Sequence, residues 1–146
     1  MAAGVTVPER NIDELRRRIS ELYSGDISSF DSGLKLDFEV EKPELLSVRN
    51  VEELERLEPF GSDNPPPNLC ITGATLTYTQ PIGSGLHSRL KVEKSGVNLD
   101  CIYFAMPSDE LDVCEGMQVD VAFEPQINDF RGRSNVQLQV FDIKES

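Results

Sequence analysis

The chain has 146 residues, of which 38% are hydrophobic, and its formal net charge is -12 at pH 7. This length allows one ordinary domain, or a small domain with part of another. The negative charge repels polyanions at long range, so a nucleic-acid-binding role requires the basic residues to gather on one face.

The three cysteines, Cys70, Cys101 and Cys114, form no CxxC pair, which favours reduced thiols over a disulfide framework. With His87 they could form a zinc site or a cysteine–histidine nucleophile pair, but their spacing favours neither, so we expect no metal site and no catalytic residue. No apolar run is long enough to span a bilayer, and the N-terminus lacks a signal-peptide core. We therefore expect a cytoplasmic protein.

The N-terminal part predicts a helix followed by a strand. Apolar residues at helical spacing begin at Ile12, and we interpret the arginines at 16–18 as a solvated face of this helix rather than a nucleic-acid contact. Residues 34–40 alternate apolar and polar, which predicts a half-buried strand. Residues 51–57 predict a further helical turn. These elements are too few to close a core alone.

Residues 57–67, LEPFGSDNPPP, change the character of the chain. The last three prolines of this segment have a fixed φ and no backbone N–H donor, so they cannot continue a helix or lie in a central strand. Pro59 and Gly61 end the preceding helix, with Phe60 between them. We interpret the segment as a rigid hinge between two units.

After the hinge the pattern becomes that of a β protein. We expect Gly73 to mark a bend or bulge, residues 94–96 a hairpin turn, residues 107–113 a short helix or a single turn, and residues 125–135 a loop. The predicted strands are 69–78, 87–93, 97–105, a fourth around 117–123 and a fifth around 136–143.

Five strands in this order, with a short helix between the third and fourth, are typical of the OB-fold, which binds oligonucleotides on strands 2 and 3 and on the 1–2 and 4–5 loops. The predicted fold class is therefore α+β but mainly β: a five-stranded OB-fold barrel preceded by a small partial α/β unit.

Three sets of residues resemble a known family. They are the Leu-Glu-Pro-Phe-Gly run at 57–61 with Asn64-Pro65 after it, Ala2-Ala3-Gly4, and the segment from Asn128 to Gly132 with Gln137-Leu138 and Asp142-Ile143. Together they resemble the C-terminal region of RecJ-type single-strand-specific DNA exonucleases. The family more often has glycine where this chain has Asp63. The resemblance implies that residues 1–56 end a DHHA1 domain, 57–67 are a hinge and 68–146 are the OB domain.

The resemblance also defines what this chain lacks. The family's Gly-Gly-His phosphate-binding motif and its aspartate and histidine clusters are absent from the sequence. Because a two-metal phosphodiesterase needs several such ligands, we expect the chain not to cut DNA by itself. The resemblance implies that manganese or magnesium, and 5'-to-3' hydrolysis, belong to upstream nuclease domains of the same protein.

The charge conflict is resolved locally if the cations after the hinge lie on strand 2, its turn and the 4–5 loop. Phe130 is the candidate stacking aromatic, although it could also plug the barrel mouth, and either Tyr103 or Phe104 should face outward. The cations could also form a solvated face. The predicted nucleic-acid-binding residues are His87, Arg89, Lys91, Phe130, Arg131 and Arg133.

The sequence therefore predicts a non-catalytic module that grips single-stranded DNA for a RecJ-like exonuclease. The alternative is a structural or protein-interaction OB module, which braces the nuclease domains or docks a partner such as a single-strand-binding protein. The overall negative charge favours this alternative.

Overall fold

The structure is a computed structural model, and it describes residues 6–23, 33–130 and 132–146. The chain forms two compact units, Met1–Leu34 and Lys35–Ser146. In the first unit a 3-10 turn, Glu9–Asn11, leads into helix α1, Ile12–Tyr23. The helix predicted from the apolar spacing is confirmed.

The arginines of α1 bind carboxylates of the same helix. Glu14 accepts hydrogen bonds from Arg17 at 2.7 and 2.9 Å and from Arg18 at 2.7 Å. These guanidinium groups lower the pKa of Glu14 to about 2. Arg16 Nη1 lies 3.6 Å from Asp13 Oδ1. Such exposed ion pairs within one helix contribute little to the free energy of unfolding. They agree with the interpretation of these arginines as a solvated helix face.

The described part of the second unit contains six strands and one further α-helix, α2 (Val48–Leu54). Helix α2 is continued by a 3-10 turn, Glu55–Leu57, and another 3-10 turn, Pro43–Leu45, precedes it. The elements are β1 (Phe38–Glu39), α2 (Val48–Leu54), β2 (Leu69–Ile82), β3 (His87–Lys94), β4 (Val97–Tyr103), β5 (Gln118–Phe130) and β6 (Arg133–Glu145).

Strands β2 to β6 close into a barrel. The order around it is β2-β3-β4-β6-β5, and β5 pairs again with β2. Only the β4–β6 pair is parallel; the other four barrel pairs are antiparallel. This is the connectivity of the OB-fold, so the predicted fold class is confirmed. β1 adds a short parallel partner to β2, with Phe38 opposite Leu69.

The barrel interior is filled by the alternate side chains of its strands, as the two-residue period requires. The largest of its fully buried side chains is Phe123 of β5. Gly73 lies at the predicted irregularity: the β2–β5 register shifts between Ile71 and Ala74, and the Gly73 N–H donates to Asp120 Oδ1 at 3.0 Å. Gly73 has φ +60°, which suits glycine at such a bulge.

The proline-rich segment folds on itself around Asn64. Its side-chain amide donates to the carbonyls of Leu57 at 2.9 Å and Pro59 at 3.1 Å, and its backbone exchanges two hydrogen bonds with Gly61. The segment is therefore an ordered loop with its own hydrogen bonds. It lies inside the second compact unit, whose first residue is Lys35.

The strand predicted over residues 34–40 is much shorter than expected. The β-ladder with β2 contains Phe38 and Glu39, and it is flanked by hydrogen bonds from the N–H groups of Asp37 and Val40 to the β2 side. Leu34, Leu36 and Phe38 are exposed, Phe38 to 61%, and Val40 alone of the four apolar positions is buried. The alternation is present, but among the described residues this face is covered only at Val40.

The loop predicted over residues 125–135 is wrong. β5 runs on to Phe130 and β6 begins at Arg133, so these polar residues form a long hairpin. Phe123 is the last β5 residue that pairs with β2, so Pro125 lies at an edge, where proline is tolerated in a sheet. Between β4 and β5 the described chain has turns rather than a helix, including a turn in which Glu110 N–H donates to Pro107 O at 3.1 Å.

Candidate nucleic-acid interface

The outer face of β3, which is strand 2 of the OB-fold, carries three of the predicted site residues. Ser88, Leu90 and Val92 are fully buried, so the residues between them point outward. His87 is half-buried, whereas Arg89 and Lys91 are exposed. The predicted alternation is confirmed, because a strand side chain and its second neighbour share one face. The outward residues are His87, Arg89, Lys91 and Glu93.

Arg89 and Lys91 have different surroundings. Arg89 lies opposite Gln80 of β2 and Ile102 of β4, and its side chain makes no hydrogen bond or ion pair with the described residues. Lys91 lies between Tyr78 and Asp100, and its Nζ is 3.8 Å from Asp100 Oδ1. Arg89 is therefore free to bind an anion, while Lys91 is partly neutralised.

His87 is held at the start of β3 by the chain that follows β4. Its Nδ1 accepts the Ala105 N–H at 2.9 Å, and its ring meets that of Phe104 with centroids 5.4 Å apart and planes at 74°. Gly83, in the turn before β3, approaches the opposite part of the ring: a Cβ there would lie 2.8 Å from His87 Cδ2. Gly83 also has φ +58°, so this turn requires glycine on both counts.

The structure decides between the two aromatic residues at the end of β4. The Tyr103 hydroxyl donates to Phe141 O at 2.9 Å, and burial, followed by the Asp142 carboxylate, raises the pKa of Tyr103. Phe104 is 52% exposed. Phe104 is therefore the outward aromatic. The sequence signal for this orientation was the two-residue period of the strand. Tyr103 shares a face with Leu99 and Cys101, which are buried, so Phe104 is on the opposite face.

Sequence reasoning missed a second outward aromatic residue. Tyr78 is 39% exposed and lies opposite Lys91. The β2–β3 register shifts between Leu76 and Tyr78, so Thr77 is an extra residue that reverses the alternation. A bulge of this kind leaves no clear signal in the sequence.

Of the remaining predicted site residues, the structure describes the positions of Phe130 and Arg133. Arg131 lies outside the described residues, and Phe130 ends β5 opposite Arg133 at the hairpin tip. Ile102, the partner of Arg89, pairs with Gln139 on its other side. Arg133 precedes Gln139 by six residues, which is roughly 20 Å along the strand at about 3.3 Å per residue. Arg133 therefore does not join Arg89 in one compact cluster.

The cysteines do not form a chemical site. Cys70 and Cys101 are buried, whereas Cys114 is exposed. Burial raises the pKa of both buried thiols, with Glu39 and Asp120 adding to the effect at Cys70. Such thiols are poor nucleophiles at neutral pH. Among the residues that the structure describes, no three histidine, cysteine or acidic side chains come together as metal ligands would.

The closed barrel, with its parallel pair between β4 and β6, defines an OB-fold domain. Residues 36–142 match the family model of the RecJ OB domain. The chain therefore belongs to the RecJ OB domain family.

Two relatives match almost the whole chain. The single-stranded-DNA-specific exonuclease RecJ of Bacillus subtilis (strain 168) is 26% identical over 151 residues, which cover 100% of this chain and 19% of that protein. The RecJ exonuclease of Dickeya dadantii (strain 3937) is 29% identical over 144 residues, covering 96% of this chain and 24% of that protein. This chain thus spans about a fifth to a quarter of the length of these relatives.

A solved structure shares the fold. The crystal structure of RecJ in complex with Mn²⁺ from Thermus thermophilus superposes with a TM-score of 0.65 and 22% identity, over 98% of this chain and 20% of that one.

Within the described residues, none of the helices has the length and apolar character needed to cross a membrane.

Proposed function

We propose that the outer face of β3 and β4 binds single-stranded DNA for a RecJ-type exonuclease. The observation that carries this proposal is the exposed guanidinium of Arg89, which has no partner among the described residues and lies on the same face as two exposed aromatic residues, Tyr78 and Phe104. Cations that contact phosphates, together with aromatic rings that stack on bases, are how OB-folds hold single strands.

Local charge supports the proposal despite the acidic chain. The outward side chains of β3 and β4 include two cations, Arg89 and Lys91, and two carboxylates, Glu93 and Asp100, so this face is neutral, against a net charge of -12 for the whole chain. Both carboxylates are engaged: Asp100 pairs with Lys91, and Glu93 accepts the Gly96 N–H at 2.5 Å. The face can therefore attract phosphate at short range, although the protein as a whole repels it.

The names of the two relatives, which describe a single-stranded-DNA-specific exonuclease, support a wider role for the module. In this proposal the chain binds DNA without cutting it, and upstream nuclease domains of a longer polypeptide hold the manganese or magnesium and hydrolyse the strand. A single-strand-binding protein is a further proposed partner. Free thiols at Cys70, Cys101 and Cys114 support a location in the reducing cytoplasm.

The division of the chain into the end of a DHHA1 domain (1–56), a hinge (57–67) and an OB domain (68–146) stays a prediction. The sequence motifs around Ala2 and Leu57 support it. Residues 36–57 lie in the same compact unit as the barrel, so in this division they would combine a DHHA1 origin with contacts to the OB domain.

The test is a titration of a fluorescently labelled single-stranded oligodeoxynucleotide, followed by anisotropy at several salt concentrations. We expect binding that weakens with a slope of about -1.4 in log K against log salt, because two cations contact phosphates and each contributes roughly 0.7 for a single strand. A duplex of the same sequence should bind more weakly. Absence of binding at micromolar protein and low salt, or a preference for the duplex, would contradict the proposal.

A specific observation also favours the second candidate function, a protein-interaction module. An apolar groove of about 250 Å³ lies beside α2 and is almost entirely apolar in its lining. Phe38 and Leu45, at 61% and 51% exposure, border it. Because this chain spans only part of its relatives' length, we propose that the occupant is an apolar surface of the nuclease region of a RecJ-type polypeptide.

Hydrogen exchange tests this second candidate. Amides of residues 38–54 should exchange more slowly in a RecJ-type polypeptide that contains both this chain and the nuclease region than in this chain alone. Leu45→Lys should remove the difference in exchange. It should not change DNA binding by the isolated chain, because no residue of β3 or β4 lines the groove. Equal exchange in the two polypeptides would show that the groove remains uncovered.

A further inference from the structure

We propose that Phe104, His87 and Arg89 form a subsite for one nucleotide of the strand, in which the base stacks on Phe104 and His87 Nε2–H donates to an acceptor oxygen. This inference deepens the proposed function and rests on it. It adds a stacking residue that the sequence left undecided, and it gives the histidine a chemical role.

Phe104 is arranged as a stacking surface. It directly follows β4, is 52% exposed, and touches the His87 ring at 74° rather than face to face. An edge-type contact of this kind covers at most one face of the phenyl ring, so the other face is available to a base. Its immediate neighbours are fixed, since Tyr103 is tied to Phe141 O and the Ala105 N–H to His87.

The hydrogen bond to His87 determines what the histidine can bind. Because Nδ1 accepts the Ala105 N–H at 2.9 Å, the neutral ring must carry its hydrogen on Nε2. Nε2 has no hydrogen-bond partner among the described residues, and it is not one of the buried polar atoms that lack a partner there. It therefore reaches solvent as an unused donor, which can bind an acceptor such as an oxygen of a phosphate or of a base.

The subsite is held in place before any ligand arrives. Gly83 packs against the imidazole from the turn before β3, and Ala105 holds the other nitrogen. Ser88, the next residue along β3, is fully buried and donates to Met106 O at 2.7 Å, which ties the chain after Phe104 to the same strand. A site fixed in this way loses less entropy when it binds.

Arg89 extends the subsite along the strand. It lies two residues beyond His87 on the same face, roughly 6.6 Å further at about 3.3 Å per residue. A phosphate next to the stacked base can therefore contact the guanidinium while the base remains on Phe104. Arginine suits this role because its planar fork matches phosphate oxygens.

The experiment compares a thymidine oligonucleotide with an oligonucleotide of the same length whose sugars lack bases. Phe104→Ala should weaken binding of the thymidine strand about tenfold, the size expected for one lost stack, and leave binding of the abasic strand and the salt slope unchanged. Phe104→Trp should restore binding. Leu86→Ala is the matched control, because Leu86 is a 62% exposed apolar residue in the turn before β3.

The outcomes separate the two levels of inference. If the unaltered protein binds neither strand, the proposed function fails. If it binds the thymidine strand and Phe104→Ala has no effect, the DNA-binding function stands and the Phe104 subsite is overturned. An equal loss with both strands also overturns stacking, since the abasic strand has no base to lose.

His87 can be tested in the unaltered protein, because it is the single histidine of the chain. In ¹⁵N-histidine spectra the Nε2 resonance should shift when the thymidine oligonucleotide is added. A shift with the abasic strand as well identifies a phosphate acceptor, and a shift with the thymidine strand alone identifies a base oxygen. No shift with either strand, while anisotropy reports binding, overturns the role of His87.

Discussion

Phe123→Ala should lower the free energy of unfolding by about 3–5 kcal/mol, the usual cost of removing a buried phenyl ring. Phe123 is fully buried in β5, where its backbone lies between Leu69 of β2 and Val140 of β6. The surrounding residues belong to three strands of a closed barrel and cannot collapse far into the space left behind. Urea denaturation followed by circular dichroism measures the change.

The control is the same substitution at an exposed position. Phe104→Ala removes an identical group that is 52% exposed, so the loss of stability should stay near 1 kcal/mol or less. This result would also establish that the variant used in the binding experiments is folded. Similar losses at positions 104 and 123 would show that the barrel interior is not organised around Phe123 as described.

Much of the barrel was readable from the sequence because each barrel strand has one buried face. In β3 the alternation of Leu90 and Val92 with Arg89 and Lys91 fixes which side chains enter the core. Gly73 predicted the bulge in β2, because an interior glycine in a strand commonly marks such a site. The strand order then followed from the OB-fold, which needs only the number of strands and their connections.

The long β5–β6 hairpin could not be read in this way. Pro125 and the polar residues before Gly132 are typical of a loop, and nothing local indicates that both strands continue. The pairing of β5 with β6 continues beyond the last contact with β2, so the hairpin depends on a partner that follows it in sequence. Propensity is a weak guide where such pairing decides the structure.

This error moved part of the predicted site. Phe130 and Arg133 were expected in the 4–5 loop, but they lie at the end of an extended hairpin. Residues 34–40 show the converse problem: their alternation was clear, yet Leu36 and Phe38 face outward. A two-residue period defines two faces of a strand, but it does not say whether another layer covers either of them.

Replacing both outward cations of β3, as Arg89→Glu with Lys91→Glu, should weaken binding of single-stranded DNA about a hundredfold or more at 50 mM salt. Each lost phosphate contact makes the slope of log K against log salt less steep by roughly 0.7, which corresponds to about a tenfold loss of affinity at 50 mM salt. The two new carboxylates also repel the phosphates. Arg89 should contribute more than Lys91, because Lys91 already pairs with Asp100 at 3.8 Å. Anisotropy of the two single variants and of the double variant gives this order.

A matched variant separates local contact from overall charge. Lys42→Glu with Arg49→Glu changes the net charge by the same amount at two exposed residues that precede the proline-rich segment. Debye screening limits the reach of these distant charges, so affinity should fall only slightly and the salt slope should be unchanged. Equal losses in the two double variants would mean that the acidic chain repels DNA as a whole and that the β3 face makes no specific contact. A large loss confined to Arg89 and Lys91 would instead mean that these two cations on one strand are required to hold a polyanion against a net charge of -12.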